Sequence, residues 1–422
     1  MSNLSNVPNQ LRHLKSISYD VINYLLGTED QYDFFQKLSF SIRSLNTADD
    51  LARLLLSLPL RKSDHITHHF SVHPPLIPSS GLSKDDKVNV MAYYNSELLT
   101  LCPRETICFS IDDCRVIGYY GIILTPDGEY VSETIKSRWF PVAMQRTIDR
   151  FGIIVVFKEL LYALFPRLAS DLLPCAFHFF NRGAYANGQP QYGHFILENL
   201  PTLRVYHQLL SVSAGHIPLL NCPVITQWQL DLQMLCGISP RYNCFLQFPG
   251  KTVKRLYFSS LYSAGSKDYE VDCPGRRWVH RTLSFSAACY APPHYQYQPA
   301  HKVFISRQHS QSYQNKRVFA SNNHLESHLW RHNWTVLHCE MLSTLSEAST
   351  LFYAKYLCGQ FGSGLCKVMF MRKPQAIVEL YSEQESLLPP FFLMSRELGI
   401  HYSRVKCTLD REGRWIFPLS IK

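Results

Sequence analysis

Apolar residues recur three and four positions apart through the first 60 residues of the chain. This spacing places them on one face of a helix, because an α-helix turns once in about 3.6 residues. The positions concerned are Val21, Leu25, Phe34, Leu38, Leu51, Leu54 and Leu55. A polar, proline-containing stretch then covers residues 62–88. We predict a peripheral helical extension over residues 1–60, followed by a surface connection.

Between residues 106 and 134 the pattern changes to short apolar runs that are typical of β-strands. Asp127 and Gly128 separate two of these runs, and Asp-Gly favours the tight turn of a hairpin. Asp112 and Asp113 form an adjacent acidic pair in the same region. We predict that this pair lies in a turn or at a strand end.

Strands and helices alternate from Lys302 onward. The predicted strands are KVFIS at 302–306, TVLH at 335–338, the segment that opens at Tyr356, and AIVEL at 376–380. One predicted helix carries Leu325, His328, Leu329 and His332 on one face. A second begins with a capping box of Thr344 and Glu347, and a third covers residues 387–396 after the last strand. Such alternation predicts a parallel sheet with right-handed crossovers, that is, a Rossmann-like fold.

The segment 356–380 has the outline of a nucleotide site. A strand is followed by a loop with Gly359, Gly362 and Gly364, a brief helix, and a strand that closes on Glu379. Glycines before a helix allow a close backbone approach and leave N–H groups pointing at an anion. A carboxylate at a strand end suits ribose hydroxyls. The spacing matches neither the dinucleotide fingerprint nor a Walker A loop, which disfavours a nicotinamide oxidoreductase.

A second candidate group lies in QYGHFILENLPTL, residues 191–203. If this segment is helical, His194 and Glu198 lie four residues apart on one face, and Pro201 ends or kinks the helix. A histidine beside a carboxylate can activate a hydroxyl as general base and orienting partner. The same pair can also be purely structural on a solvated helix, and the sequence leaves both interpretations open.

Length and charge narrow the class of protein. A chain of 422 residues is too long for one ordinary core, and we divide it into residues 1–90, 91–265 and 266–422. The formal net charge is +9, and residues 301–422 hold 15 Lys/Arg against 9 Asp/Glu. A basic C-terminal part suits a phosphorylated ligand or an anionic membrane surface. No basic run is interleaved with aromatic residues, so we expect no nucleic-acid partner.

Cysteine and histidine usage favours a reduced, metal-free protein. The 13 cysteines form no C-x-x-C pair, which argues against a zinc ribbon and a disulfide framework. His65, His68, His69 and His73 lack nearby cysteine or carboxylate ligands at metal-binding spacing, so we expect no metal site. No signal peptide or membrane span is recognisable. We expect a cytoplasmic location, with peripheral contact at the inner face of the membrane.

Four motifs in order resemble glycosyltransferase family 61, which includes proteins of polysaccharide and bacterial capsule biosynthesis. The family pattern N-Y-x-H-W-x-x-D/E-x-L-P-R-L corresponds to residues 191–203, and a strand ending in I-S-R corresponds to FISR at 304–307. The pattern G-x-H-G-A-G-L-T-N corresponds to GQFGSGLCK at 359–367, and V-I-E-L to IVEL at 377–380. The resemblance covers residues 105–385 approximately.

The resemblance implies a GT-B-like α/β fold, in which two Rossmann-like domains face a central cleft. It implies inverting transfer of a sugar from a nucleotide-sugar donor, without an essential metal ion or other cofactor, which fits a chain that lacks Asp-x-Asp. The acceptor would be a polysaccharide, a glycolipid or a glycoprotein. His194 and Glu198 would lie near the acceptor, with either one as base. The donor would contact Arg307, Gly362, Ser363, Gly364, Lys367 and Glu379.

Departures from the family pattern open an alternative. Phe361 replaces the loop histidine, Ser363 the alanine, Cys366-Lys367 the Thr-Asn, Gln191 the first asparagine and Thr202 the arginine after the proline. Lys367 would return a positive charge to the loop. The first hypothesis is an active glycosyltransferase, and the second is a non-catalytic relative that binds glycan or nucleotide as a scaffold in surface-polysaccharide assembly.

Overall fold

The structure is a computed structural model that describes most of the chain. The described residues are 7–28, 30–61, 67–72, 106–131, 135, 140–180, 191–213, 215–222, 225–246, 249–259, 273–291, 300–307, 319–320, 322–382 and 390–417. The longer helices span Val7–Ser16, Tyr19–Gly27, Gln31–Ser41, Ala48–Leu56, Phe140–Phe151, Ile153–Leu164, Thr202–Val212, Gln227–Leu235, Cys273–Ala288, Asn322–Arg331, Thr344–Leu351 and Pro390–Leu398.

Four helices occupy the described part of residues 1–60, as predicted. The helix Gln31–Ser41 begins where the Asp30 side chain accepts a hydrogen bond from the backbone N–H of Asp33. The helix Ala48–Leu56 begins with a capping box between Thr47 and Asp50. Their apolar faces share one core with the helices Phe140–Phe151 and Ile153–Leu164. The structure therefore confirms that the apolar positions predicted from the helical spacing pack in a core.

The first sheet has nine strands. They are β1 (Leu60–Arg61), β2 (Thr67–Val72), β3 (Thr106–Ile117), β4 (Ile122–Leu124), β5 (Tyr130–Val131), β6 (Leu172–Phe179), β7 (Leu219–Asn221), β8 (Asn243–Phe245) and β9 (Gly250–Ser259). The order is β1-β5-β4-β3-β9-β6-β7-β8, with β2 also paired to β3. β9, β6, β7 and β8 are parallel, whereas β3 is antiparallel to β2, β4 and β9. The first sheet is thus mixed, whereas the predicted Rossmann-like domain would have a parallel one.

Two local predictions in this region are corrected by the sheet. The described part of the supposed connection, Thr67–Val72, is a strand, because its backbone pairs with the long strand β3. Asp112 and Asp113 lie inside β3 rather than at its end. The Asp112 carboxylate accepts from Arg255 Nε across the sheet at 2.7 Å, so an exposed ion pair accounts for this acidic position.

The predicted hairpin at Asp127 and Gly128 is confirmed. Leu124 of β4 lies opposite Tyr130 of β5. Gly128 has a φ of 77°, a left-handed conformation that glycine adopts without strain from a Cβ. The turn also receives Lys15, whose ammonium lies 2.6 Å from an Asp127 carboxylate oxygen. The N-terminal helices are therefore tied to this hairpin.

The second sheet is entirely parallel, as the alternating pattern predicts. Its strands are β10 (Lys302–Ser306), β11 (Trp334–His338), β12 (Tyr356–Gln360), β13 (Ala376–Tyr381) and β14 (His401–Lys406). The order is β11-β10-β12-β13-β14. The chain leaves β10 toward one side for β11 and returns on the other side for β12. The carboxyl ends of β10 and β12 therefore flank a topological switch point, where open α/β sheets bind their ligands.

One helix cap in this half differs from the prediction. Ser343, not Thr344, caps the helix Thr344–Leu351, since its hydroxyl accepts from the backbone N–H of Ser346. Glu347, the supposed second member of the capping box, is 4% exposed and points into the interior. The sequence placed the helix start one residue late because a serine and a threonine stand side by side.

A continuous core connects the two sheets. It includes Phe177 and Tyr206 from the first half, Val303 and Leu357 from the second, and Val279 of the helix Cys273–Ala288. The α/β class is thereby established. The GT-B arrangement around a cleft and the three domain boundaries stay predictions.

Within the part of the chain that the structure describes, no helix combines the length and the hydrophobicity of a transmembrane span. The cytoplasmic location and the peripheral membrane contact stay predictions.

Candidate functional site

A cavity of about 320 Å³ opens at the switch point of the second sheet. Ser306 and Arg307, at the end of β10, form one wall, and Ser363 and Gly364, which follow β12, form another. The remaining lining residues are Tyr192, Trp228, Ile305, Cys339, Glu340, Leu342, Thr344, Glu347 and Lys367. The volume is at the lower end of the range for small-molecule sites. Both halves of the chain therefore contribute to one cavity with charged, polar and apolar side chains in its walls.

The glycine segment brings backbone close to this cavity. β12 ends at Gln360, and Gly362 has a φ of 136°, which side-chain-bearing residues rarely adopt. A Cβ built on Gly364 would lie 2.8 Å from Ile305 Cγ2, so the segment can approach β10 only without a side chain there. The short helix Ser363–Phe370 follows directly. Its first N–H groups are those that could face an anion.

His194 and Glu198 contact each other as their spacing predicts. The His194 Nδ1 and Glu198 Oε1 atoms lie 2.9 Å apart. The segment is a helical turn, Tyr192–His194, that continues into the π-helical turn Phe195–Asn199. Pro201 lacks the N–H that would continue an α-helical pattern, and the backbone N–H of Leu200 instead donates to Phe195 O. A new helix then begins at Thr202.

The pair is asymmetric in its exposure. The His194 side chain is 36% exposed, whereas the Glu198 side chain is 7% exposed. Burial disfavours the imidazolium, but the Glu198 carboxylate and its hydrogen bond outweigh this effect and raise the pKa of His194 above its ordinary value. Glu198 therefore orients the His194 ring through Nδ1. The other ring nitrogen, Nε2, does not take part in this contact and is the one that could accept a proton from a substrate.

The two candidate segments meet directly. A Cβ built on Gly193 would lie 3.1 Å from Ser363 Cβ and 3.6 Å from Cys366 Sγ. The backbone of the His194 turn therefore rests on the first turn of the helix that follows the glycine loop. Ser363 also lines the cavity, whereas His194 itself is not one of the lining residues and follows Gly193 in the chain.

Lys367 is buried beside the cavity in an ion pair. Its ammonium contacts a Glu347 carboxylate oxygen, and both residues are about 5% exposed or less. The ammonium also lies 4.4 Å from the centre of the Tyr192 ring. Burial by itself would lower the pKa of Lys367, but the surrounding Tyr192, Cys339 and Glu347 raise it. The lysine is therefore charged, and Glu347 balances that charge.

Glu379 does not line this cavity. Its side chain has no solvent exposure, and its carboxylate accepts from the Tyr402 hydroxyl at 2.9 Å and from Arg404 Nε at 3.0 Å. Tyr402 and Arg404 lie on β14, a strand that the sequence interpretation did not include. A ribose hydroxyl could reach Glu379 only by replacing one of these partners.

Phe361, which stands where the family pattern has a histidine, is half-buried and packs against the helix Pro390–Leu398. Its ring lies 6.0 Å from that of Phe391 in an edge-to-face arrangement. The side chain is thus used for packing between the glycine loop and the helix Pro390–Leu398.

Several cavity residues escaped the sequence interpretation. Tyr192 belongs to the segment 191–203, and its position two residues before His194 could have predicted that it lies near the cavity. Trp228, Cys339 and Glu340 carry no such signal, since they lie in a helix and a short turn remote from every motif. Only the packing of the two halves brings them to the cavity.

The described residues hold no group of three or more His, Cys, Asp or Glu side chains that could bind a metal ion. Of the four clustered histidines, His68 and His69 lie on β2, and His65 and His73 lie outside the described residues.

Comparison with known proteins identifies the central part of the chain. The family described as Glycosyltransferase 61 matches residues 192–378. The matched region begins at Tyr192, contains the cavity segments from both halves, and ends one residue before Glu379. A search of the curated proteins finds no match to the chain.

Proposed function

Since residues 192–378 belong to glycosyltransferase family 61, we propose that this glycosyltransferase uses a nucleotide-sugar donor and transfers the sugar with inversion. The acceptor would be a hydroxyl of a polysaccharide, glycolipid or glycoprotein. One observation carries the proposal. The cavity at the switch point of the parallel sheet has Arg307 and the glycine segment in its walls, and the His194–Glu198 pair rests against the same segment.

The donor diphosphate would lie between the end of β10 and the helix Ser363–Phe370. Arg307 supplies a guanidinium that can bind two phosphate oxygens at once. The N–H groups of Ser363 and Gly364 supply further donors, because the first turn of a helix leaves them without partners in that helix. In the proposed complex a ribose hydroxyl takes the place of Tyr402 on Glu379.

The His194–Glu198 geometry supports His194 as the base. Nε2 would take the proton of the acceptor hydroxyl as its oxygen attacks the anomeric carbon of the donor sugar. The bond between that carbon and the diphosphate oxygen breaks, and the nucleoside diphosphate leaves from the opposite face. Glu198, held on Nδ1, would stabilise the imidazolium that forms. Arg307 and the helix N–H groups would stabilise the charge on the departing diphosphate without a metal ion.

A scaffold function is the second candidate, and the site departures favour it. Phe361 packs against Phe391 where the family has a histidine, and Lys367 is already neutralised by Glu347. A protein that binds nucleotide but transfers no sugar under any donor and acceptor combination would fit this candidate. The two candidates are therefore separated by turnover, not by binding.

Nucleotide binding is the first expected result. Uridine or guanosine diphosphate at a hundredfold excess over its Kd is expected to raise Tm by about 3 °C, because binding at that excess stabilises by about 2.7 kcal/mol. Arg307→Ala is expected to weaken Kd tenfold or more, as a charge-assisted hydrogen bond contributes about 1.5–3 kcal/mol. Thermal-shift and calorimetric titrations measure both. If no nucleotide or nucleotide sugar changes Tm, the proposed donor site is wrong.

The pH dependence of transfer is the second expected result. His194 must be neutral to accept a proton, so kcat/KM rises as pH increases through the pKa of the free enzyme. That pKa lies above the ordinary histidine value because of Glu198. In Glu198→Gln the carboxylate is gone and burial remains, so the acid limb is expected to move to lower pH. An acid limb that stays in place would exclude His194 as the titrating group.

A further inference from the structure

Lys367 and Glu347 form a buried ion pair beside the cavity. The ammonium contacts Glu347 of the helix Thr344–Leu351, and the Cys339 thiol also interacts with it. Little of the lysine is exposed, 5% in all. A cation that is balanced within the protein adds little attraction for a diphosphate. The contacts of the Lys367 ammonium are therefore with protein groups, Glu347 and Cys339, rather than with a ligand in the cavity.

The third neighbour of the ammonium is the face of the Tyr192 ring, 4.4 Å from its centre. This distance is within the range of a cation–π interaction, which is strengthened when the pair is removed from water. The Tyr192 hydroxyl is enclosed and has no hydrogen-bond partner among the described residues. The ring is therefore held by the cation on one side and by Trp228, with ring centres 5.1 Å apart, on another.

Tyr192 opens the turn that carries His194. Gly193 follows and rests on Ser363, and the His194–Glu198 contact comes next. Tyr192 and Gly193 thus fix the height of this turn above the helix Ser363–Phe370, and Lys367 belongs to that same helix. A shift of the Tyr192 ring would move His194 relative to the cavity wall.

We propose that the Lys367–Glu347 pair, through the Tyr192 ring, positions His194 against the donor cavity. Lys367 is a positioning residue in this proposal, and its ammonium does not bind the donor phosphates. The inference rests on the proposed function, and it assigns to this chain a link between the donor cavity and the base that uses Lys367, Glu347 and Tyr192. Productive transfer requires the acceptor oxygen and the anomeric carbon to be aligned closely, so a small displacement of His194 is costly.

The experiment compares two ways of removing the link. Tyr192→Leu removes the ring and keeps the ion pair, while the double variant Lys367→Met with Glu347→Leu removes both charges together and leaves no buried charge unpaired. Both are expected to lower kcat tenfold or more. Kd for uridine or guanosine diphosphate, whichever binds the wild type, is expected to change less than about threefold. Tyr192→Phe keeps the ring and is expected to lose at most threefold in kcat.

Hydrogen exchange gives a readout that does not depend on turnover. In both disruptive variants the amides of residues 192–200 are expected to exchange faster, whereas those of β3 and β9 keep their wild-type rates. Arg255→Met, which removes an exposed cation on β9, is the control and is expected to change neither kcat nor exchange in the turn.

Three results would overturn the positioning role. The first is a tenfold weaker Kd for the diphosphate with kcat preserved in the double variant Lys367→Met with Glu347→Leu, which would make Lys367 a direct donor ligand. The second is an equal loss of kcat in Tyr192→Phe and Tyr192→Leu, which would assign the effect to the hydroxyl. The third is unchanged exchange in residues 192–200 of the two disruptive variants. If the wild type binds no nucleotide at all, the proposed function fails, and the exchange rates alone decide whether the link exists.

Discussion

His194→Ala is expected to lower kcat by about 10²–10⁴, the usual contribution of a general base, while donor binding stays close to that of the wild type. The reason is geometric. Nδ1 is held by Glu198 at 2.9 Å, so the ring presents Nε2 to an acceptor hydroxyl, and no other side chain of the turn combines this orientation with partial exposure. Initial rates at saturating donor and acceptor measure the effect, and calorimetry measures donor Kd.

Glu198→Ala separates the two candidates for the base. If His194 is the base, Glu198→Ala keeps part of the activity, because an unoriented imidazole still accepts a proton. A Glu198→Ala variant that is inactive while His194→Ala is nearly normal would make the carboxylate the base. His401→Ala, at the exposed start of β14, is the control for loss of a surface histidine. The two variants together decide a question that the sequence left open.

Arg115→Met is expected to destabilise the protein by about 3–5 kcal/mol, the usual cost of removing one partner from a buried ion pair. Arg115 is 3% exposed. It donates to Glu159 Oε2 and Asp171 Oδ1, each at 2.6 Å, and to Thr252 Oγ1 at 2.7 Å. Without the guanidinium, the buried Glu159 carboxylate has lost its opposite charge. Chemical denaturation of the full chain measures the free energy of unfolding.

The loss of stability in Arg115→Met is expected to depend on pH. Burial raises the pKa of Glu159 even beside Arg115, and removal of the arginine raises it further. A carboxyl group whose pKa is higher in the folded than in the unfolded state destabilises the fold above the unfolded pKa. Protonation relieves this cost as pH falls through the folded pKa. The deficit of Arg115→Met should therefore be smaller at pH 5 than at pH 8.

Arg255→Met is a matched control on the neighbouring strand. Arg255 and its partner Asp112 have side chains 52% and 56% exposed, and an exposed pair contributes about 1 kcal/mol or less. Arg115→Met with Glu159→Leu should recover part of the lost stability, since the buried carboxylate of Glu159 is then gone and Asp171 is the one carboxylate of the cluster left without the guanidinium. Equal costs for Arg115→Met and Arg255→Met would show that burial does not govern the Arg115 cluster.

Much of the architecture was predictable because it depends on residues near one another in the chain. The alternating apolar runs after Lys302 predict a parallel sheet, and Asp127-Gly128 predicts a hairpin. The structure confirms both. The four-residue spacing of His194 and Glu198 gave their contact, since helical geometry alone brings such positions together. The mixed first sheet was not predicted, because β3 pairs with β9 across more than 130 residues and no local pattern specifies that partner.

The sequence by itself determined the helical N-terminal region, four of the five strands of the second sheet and the identity of both candidate segments, because periodicity and short motifs are local properties. Only the tertiary structure decided what each charged side chain does. It placed Glu347 on Lys367, Arg404 on Glu379, and Gly193 on Ser363. These contacts join segments that are far apart in the chain, and a buried charge is neutralised by whichever opposite charge the packing brings to it.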